Sequence, residues 1–269
     1  MESAKVTILG ARGSIPVSGE RYSVYGCATS CVLMEAASDV LFFDAGSGIL
    51  NVPQEVCEKH IRIHIFLSHL HIDHLLGILM SPMMYDKDRE IIFYAKDGYG
   101  ACTALQQMMK KPLWAIGPET FTAKMSYRTV PEEPYQIPES NITVKGMYTS
   151  HPGGSMAYRV EWEGNSLVYA TDCELDEAQS RQMEKFADKA ALFILDAQYT
   201  GEEYPKCIGY GHSYIENSVS VIAGSGAKRG LLFHHAPTHT DEQLAEIEKC
   251  LHKRWNQITF AKEGDIITI

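Results

Sequence analysis

Six residues, His69-Leu70-His71-Ile72-Asp73-His74, hold three imidazoles and a carboxylate just after a strand pattern, Ile61 to Leu67, that alternates and then saturates with apolar residues. Polar groups crowded this closely lose water and need a partner. Imidazole nitrogens and carboxylate oxygens are donors for divalent transition metals, so the stretch predicts a metal site. Side chains two apart in an extended chain share a side, which lets His69 and His71 grip one ion. Asp73 and His74 would face a second ion from the first turn of a helix predicted from Asp73 through Met80, with the carboxylate at the favourable end of the helix dipole.

The same arrangement recurs downstream. Alternating strands are predicted over 142–148 and 157–162 with His151 in the turn between them, and apolar strands over 166–171 and 190–195 end in Asp172 and Asp196. A further strand from Gly230 ends in His234-His235, of which only one can face a site if the strand continues through both. In α/β folds ligands gather at the carboxyl ends of strands, which is where these groups fall.

Upstream, 31–35 and 40–44 read as a hairpin ending in Asp44-Ala45-Gly46-Ser47-Gly48. Asp44 either hydrogen-bonds a metal-holding histidine from behind or forms a plain turn. The strand 6–9 runs into Gly10-Ala11-Arg12-Gly13-Ser14, which lacks the ending of a P-loop and the spacing of a dinucleotide fingerprint. It reads as a structural turn, with contact to a substrate left open. Cys27 and Cys31, with no second Cys or His pair nearby, read as buried thiols.

The elements that must position these groups follow from periodicity. Strands are expected at 91–95, 258–261 and 265–269, and helices at 97–110, 175–186, 213–223 and 241–255, the last with Leu244, Ile247, Leu251 and Trp255 on one stripe. Residues 112–138 are broken by prolines and read as surface connections or part of a substrate rim carrying Trp114, Tyr127 and Tyr135. Met83, Met84, Met108 and Met109 read as packing. The 269 residues, 45% hydrophobic, suit one domain with one large core. A net charge of −10 disfavours a long nucleic-acid track. Seven cysteines at irregular spacing and no charged-then-apolar leader point to a reducing compartment, the cytoplasm. No apolar run is long enough to span a membrane.

The order His69-x-His71-x-Asp73-His74, His151, Asp172, His234 resembles the metallo-β-lactamase superfamily of dinuclear hydrolases over essentially the whole chain. The resemblance implies an α/β (α+β) fold, a four-layer αββα sandwich of two mixed sheets with helices outside. It would place His69, His71 and His151 on one metal, Asp73, His74 and His234 on the other, and Asp172 between them. His234 is preferred over His235 because the family's ligand follows the apolar run at once. His235 would then support the site or the fold. Two divalent ions are implied; His-rich ligation suits zinc, and manganese or iron is compatible with such mixed donors.

Several features look like the phosphodiesterase side of that superfamily, which includes tRNA 3′-processing endonucleases and phosphonate-pathway cyclic-phosphate phosphodiesterases. They are the Gly10 to Ser14 loop, the Asp44 turn, Gly211-His212-Ser213 and the Leu-Phe-His234-His235 ending. Those enzymes use an additional histidine as general acid, and His212 matches its place, with Asp196 to orient it. The catalytic groups expected are thus Asp73, His212 and Asp196. The plain alternative for His212 is a histidine at the start of a helix. The implied chemistry is attack by a hydroxide generated between two ions, with His212 protonating the leaving oxygen.

The tRNA-processing enzymes often carry a long arm between the equivalents of His151 and Asp172, where this chain has only twenty residues. With the acidic net charge, this favours a small cyclic or nucleotide-like phosphodiester over folded RNA. The alternatives are a lactonase or thioesterase, a tRNA 3′-processing-type nuclease, or a di-iron redox or sensor protein. The last usually carries an acidic residue where His71 stands. A homodimer is compatible with each.

Overall fold

The computed structural model describes residues 3–36, 38–59, 61–130 and 132–269. In chain order the strands and helices are β1 (Lys5–Gly10), β2 (Cys31–Ala36), β3 (Asp39–Phe43), α1 (Gln54–Lys59), β4 (Arg62–Phe66), β5 (Glu90–Ala95), α2 (Gly98–Met108), β6 (Lys124–Thr129), β7 (Tyr135–Gln136) and β8 (Thr143–Thr149). The second half holds β9 (Ser155–Trp162), β10 (Asn165–Ala170), α3 (Glu177–Phe186), β11 (Leu192–Asp196), α4 (Ile215–Ser225), β12 (Gly230–Phe233), α5 (Asp241–Leu251), β13 (Ile258–Phe260) and β14 (Ile266–Thr268).

Two seven-stranded sheets result among the described residues, ordered β14-β1-β2-β3-β4-β5-β6 and β13-β12-β11-β10-β9-β8-β7. Both are mixed. From β3 to β6 and from β10 to β13 neighbouring strands are parallel, and the other pairings are antiparallel. The layers follow from which faces are apolar. One buried cluster draws Val32, Phe43, Phe66 and Tyr94 from the first sheet and Tyr158, Tyr169, Ile194 and Phe233 from the second. A second cluster lies between the first sheet and α2, and a third between the other sheet and α3, α4 and α5. This is the αββα sandwich.

Strands buried on both faces need not alternate apolar with polar residues, which is why β11 and β12 read as continuous apolar runs and β4 and β10 become apolar toward their carboxyl ends. Their carboxyl ends lead directly into His69, Asp172, Asp196 and His234.

Three expectations need correction. Residues 73–80 do not form an α-helix; they make two short 3₁₀ turns, Ile72–His74 and Leu76–Leu79. The loop after β3 takes the backbone groups a helix would use, since Ala45 N–H donates to His74 O at 2.9 Å and Gly77 N–H donates to Ala45 O at 3.1 Å. Gly77 tolerates this because its Cα hydrogen faces the Gly46 carbonyl, where a Cβ would lie 2.1 Å away. Second, residues 112–138 include strands β6 and β7, and their aromatics are packing groups rather than a substrate rim. Tyr127 stacks on Phe93 at 5.3 Å, Tyr135 lies 6.0 Å from Tyr94, and Trp114 packs on the first sheet's outer cluster. β6 is a polar edge strand and carries little apolar signal. Third, Cys31 is buried but Cys27 is only partly so. Met83, Met84 and Met109 are buried in the outer cluster, with Met108 against it. No helix among the described residues is long and apolar enough to cross a membrane.

His64 on β4 is buried, with Nδ1 3.0 Å from the Tyr94 hydroxyl. Burial, helped by Arg62 and Arg128, pushes this imidazole down to about 4. The folded chain therefore binds fewer protons than the unfolded chain, so the stability His64 contributes is full above about pH 6.5 and is lost as pH falls toward 4. Between pH 7.5 and 5 the loss through this group should be on the order of 2 kcal/mol. Urea unfolding at both pH values should show a correspondingly smaller drop in His64→Phe; an equal drop would mean that His64 is not held neutral.

Candidate functional site

The site gathers at the carboxyl ends of strands from both sheets. Asp172, just after β10, lies at its middle. Its Oδ1 is 3.3 Å from His74 Nε2 and 3.2 Å from His234 Nε2, while its Oδ2 is 3.6 Å from His69 Nε2 and 3.8 Å from His151 Nε2. His71 Nδ1 lies 3.1 Å from His151 Nε2. Asp73 Oδ2 is 3.2 Å from His74 Nε2 and 3.4 Å from His234 Nε2. The side chains thus form two donor sets, His69, His71, His151 and Asp172 on one side and Asp73, His74 and His234 on the other, with donor atoms in each set within 4.8 Å of one another. His71 alone among them is exposed.

Hydrogen bonds set which nitrogen of each ring faces inward. His151 Nδ1 donates to Gly211 O at 2.8 Å, and His74 Nδ1 donates to Asp44 Oδ2 at 2.7 Å. His69 Nδ1 lies 3.0 Å from Ser68 Oγ, which in turn donates to Asp44 at 2.8 Å. Carbonyl and carboxylate oxygens only accept, so in a neutral ring each of these bonds leaves the Nε2 lone pair facing the centre. The buried Nε2 atoms of His69 and His74 have no hydrogen-bond partner among the described residues. Unserved acceptors around two buried carboxylates are what a divalent cation satisfies, and the donor set fits one.

The electrostatics agree with that fit. Burial pushes His69, His71 and His151 down, toward the neutral form that coordinates. Burial works against charge on Asp73 and Asp172 as well, but the neighbouring imidazoles outweigh it and both carboxyls lie below their ordinary range. Burial also disfavours a charged His74, yet Asp172, Asp44 and Asp73 raise it well above its ordinary value. Three carboxylates within hydrogen-bond reach of one ring favour positive charge at this point.

His212 joins the same centre. Its Nδ1 is 2.8 Å from Asp196 Oδ2, and its ring stacks on that of His234 at 4.9 Å. Asp196 also accepts from Ser213 N–H at 3.0 Å. α4 begins at Ile215 with Tyr214 as its N-cap, so His212 is not a helix-capping residue. Burial lowers the His212 imidazole, but the field and hydrogen bond of Asp196 prevail and raise it to about 9. His234 faces the centre. His235 turns away and donates from Nε2 to Ala261 O at 2.8 Å.

Sequence reasoning left Asp44 between two roles and missed the groups around it. Asp44 is buried and accepts from Ser68 N–H, Ser68 Oγ, His74 and the Tyr169 hydroxyl at 2.7 Å. Tyr169, a hydroxyl in the apolar second half of β10, was the signal available. The Gly10 to Ser14 loop also belongs to the centre, since Ser14 N–H donates to Asp73 Oδ2 at 2.9 Å. Arg12, fully buried, ties this loop to the chain beyond β12 by donating to the Ala236 and His239 carbonyls.

A family model described as β-lactamase superfamily domain matches residues 40–235. The chain is 25% identical over 244 residues, 87% of each sequence, to the probable metallo-hydrolase YhfI of Bacillus subtilis. It is 20% identical over 316 residues to ribonuclease Z of Thermococcus gammatolerans, covering 98% of this chain and 94% of that one. In three dimensions it resembles the YhfI crystal structure with TM-score 0.74 at 20% identity, with full coverage of both chains. It also resembles a diphosphatase of the PhnP family with TM-score 0.72 at 19% identity, covering 100% and 98%.

Gly13 offers a direct test of how tightly the loop is fitted. A Cβ there would lie 2.5 Å from His234 Nδ1 and 2.6 Å from Gln198 Oε1. Gly13→Ala should displace His234 and weaken the binding of a divalent cation, probed with zinc, at least about tenfold by chelator competition, with the fold retained in circular dichroism. Unchanged zinc affinity would show that the loop does not hold His234.

Proposed function

The chain belongs to the β-lactamase superfamily, and from that premise we propose that it is a dinuclear metal-dependent phosphodiesterase acting on a small cyclic or nucleotide-like phosphodiester. The observation that carries the reading is the Asp196 and His212 pair, joined at 2.8 Å and stacked on His234. Such a pair is of use where a poor leaving group must take a proton.

His69, His71 and His151 would hold one ion, Asp73, His74 and His234 the other, and Asp172 would turn one oxygen to each. Zinc suits this donor set. Two divalent ions there would neutralise phosphoryl charge and lower the pKa of water to near neutrality. The protein supplies the rest. Asp44, Ser68 and the Gly211 carbonyl hold ring orientation. Asp196 occupies His212 Nδ1, so the proton delivered to the departing oxygen is the one on Nε2. Ser14 N–H fixes the Asp73 carboxylate.

Substrate size is argued from the rim. Ile15, Ile72, Ile208 and Tyr210 are exposed, and each is within a few residues of a group that touches the centre, which suits an organic substituent. The chain between His151 and Asp172 forms only β9, β10 and their turns, and the net charge of −10 offers no track for a polyanion.

The test compares leaving groups. On a 2′,3′-cyclic nucleotide, whose alkoxide needs a proton, His212→Ala should lower kcat by about 10² to 10⁴. On bis-p-nitrophenyl phosphate, whose phenolate leaves unaided, the loss should be under about tenfold. The unaltered protein should also lose kcat/KM as pH rises past the point where His212 gives up its proton, and the variant should lack that limb. Equal losses on both substrates would remove His212 as the acid. Turnover of lactones or thioesters by the zinc-loaded protein, with none on either phosphodiester, would overturn the phosphodiesterase reading.

A further inference from the structure

Glu174 stands two residues after Asp172, on the segment leaving β10, and its carboxylate gathers donors from one stretch of chain. The Tyr204 hydroxyl donates to Oε1 at 2.9 Å. Gly209 N–H lies 2.9 and 3.0 Å from the two oxygens, and Gly211 N–H donates to Oε2 at 3.1 Å. Hydrogen bonds to an ionised acceptor are about twice as strong as neutral ones, and amides converging on an anion from consecutive turns form a defined seat. Glu174 is itself placed by its own N–H, which donates to Ser150 O at 2.8 Å, next to His151.

The held stretch is the one that touches the chemistry. Gly211 O accepts from His151 Nδ1 at 2.8 Å, and the following residue is His212. Gly209 and Gly211 have φ of 85° and 87°, a conformation that glycine adopts without strain. A Cβ on Gly211 would also lie 2.2 Å from His151 Nδ1. The 204–211 stretch is therefore shaped to lie against His151, and Glu174 supplies the side chain that keeps it there.

We propose that Glu174 is a positioning residue. By seating the 204–211 stretch it sets the Gly211 carbonyl that orients His151 for metal, and it delivers His212 to Asp196. The His212 half rests on the phosphodiesterase reading; the His151 half rests only on metal binding. A glutamine in place of Glu174 keeps the shape but turns one acceptor into an NH₂ donor facing N–H or O–H donors, so the seat fails without a cavity being made.

The experiment measures zinc affinity by chelator competition and kcat on a 2′,3′-cyclic nucleotide for the unaltered chain and four variants. These are Glu174→Gln, His212→Ala, their combination, and the surface control Glu177→Gln. Glu174→Gln should weaken one of two zinc equivalents about tenfold or more and lower kcat about tenfold or more, with KM changed less than about twofold. With zinc held at saturation for every variant, so that the His151 role is read in affinity alone, the same change in the His212→Ala background should cost kcat less than about threefold, because the acid it positions is gone. Glu177→Gln should match the unaltered chain. Unchanged zinc affinity and kcat in Glu174→Gln, or losses that multiply fully in the double variant, would overturn the proposal. If Glu174→Gln does not fold, Tyr204→Phe removes one bond to the same carboxylate and should move zinc affinity and kcat in the same direction; no movement would overturn the role. A loss of zinc affinity in a protein that turns over no phosphodiester would leave the His151 half standing and reject the phosphodiesterase reading alone.

Discussion

Asp172 is the constraint on which the arrangement depends. It is buried, and each of its oxygens faces a different group of imidazoles, His74 and His234 on one side and His69 and His151 on the other. A buried carboxylate is costly unless charge or hydrogen bonds compensate it. The imidazoles reach it from strand ends in both sheets, so the face-to-face packing of the sheets sets the spacing of the centre. The core between the sheets, with Phe43, Phe66, Tyr158 and Tyr169 in mutual contact, thereby also serves the chemistry.

The backbone records the same demand. Asp44, Asp172 and His234 all have positive φ, 58°, 50° and 64°, an uncommon conformation for residues other than glycine. Each stands within two residues of a strand end, where the chain turns a polar side chain inward. Such conformations persist when surrounding structure over-determines them, and they cluster at functional sites. Here the parallel ladders before each residue and the hydrogen bonds after it provide that support.

The clustering of histidines and aspartates in the centre was legible because its signal is local and dense. The His69 to His74 stretch follows an apolar strand, and four further strands end in His or Asp, so strand periodicity alone brought His151, Asp172, Asp196 and His234 to one edge. The long apolar strands were legible for the same reason. What was not legible depends on contacts between distant segments. The two 3₁₀ turns after the motif arise because the loop after β3 captures backbone groups of residues 74 and 77, and no local pattern announces that competition. β6 is a polar edge strand. Arg12, Ser14 and Tyr169 act across separations of more than fifty residues, from loops and strands whose own sequences look ordinary. Glu174 reads as one more surface acid until Gly209 and Gly211 are seen against it.

The central claim is that Asp172 stands between two cations. Zinc-edge anomalous diffraction from crystals of the zinc-loaded protein measures this directly. Two peaks flanking Asp172 are expected, one within reach of His69, His71 and His151 and the other within reach of Asp73, His74 and His234. A single peak, or peaks that leave either set of side chains uncoordinated, would contradict it.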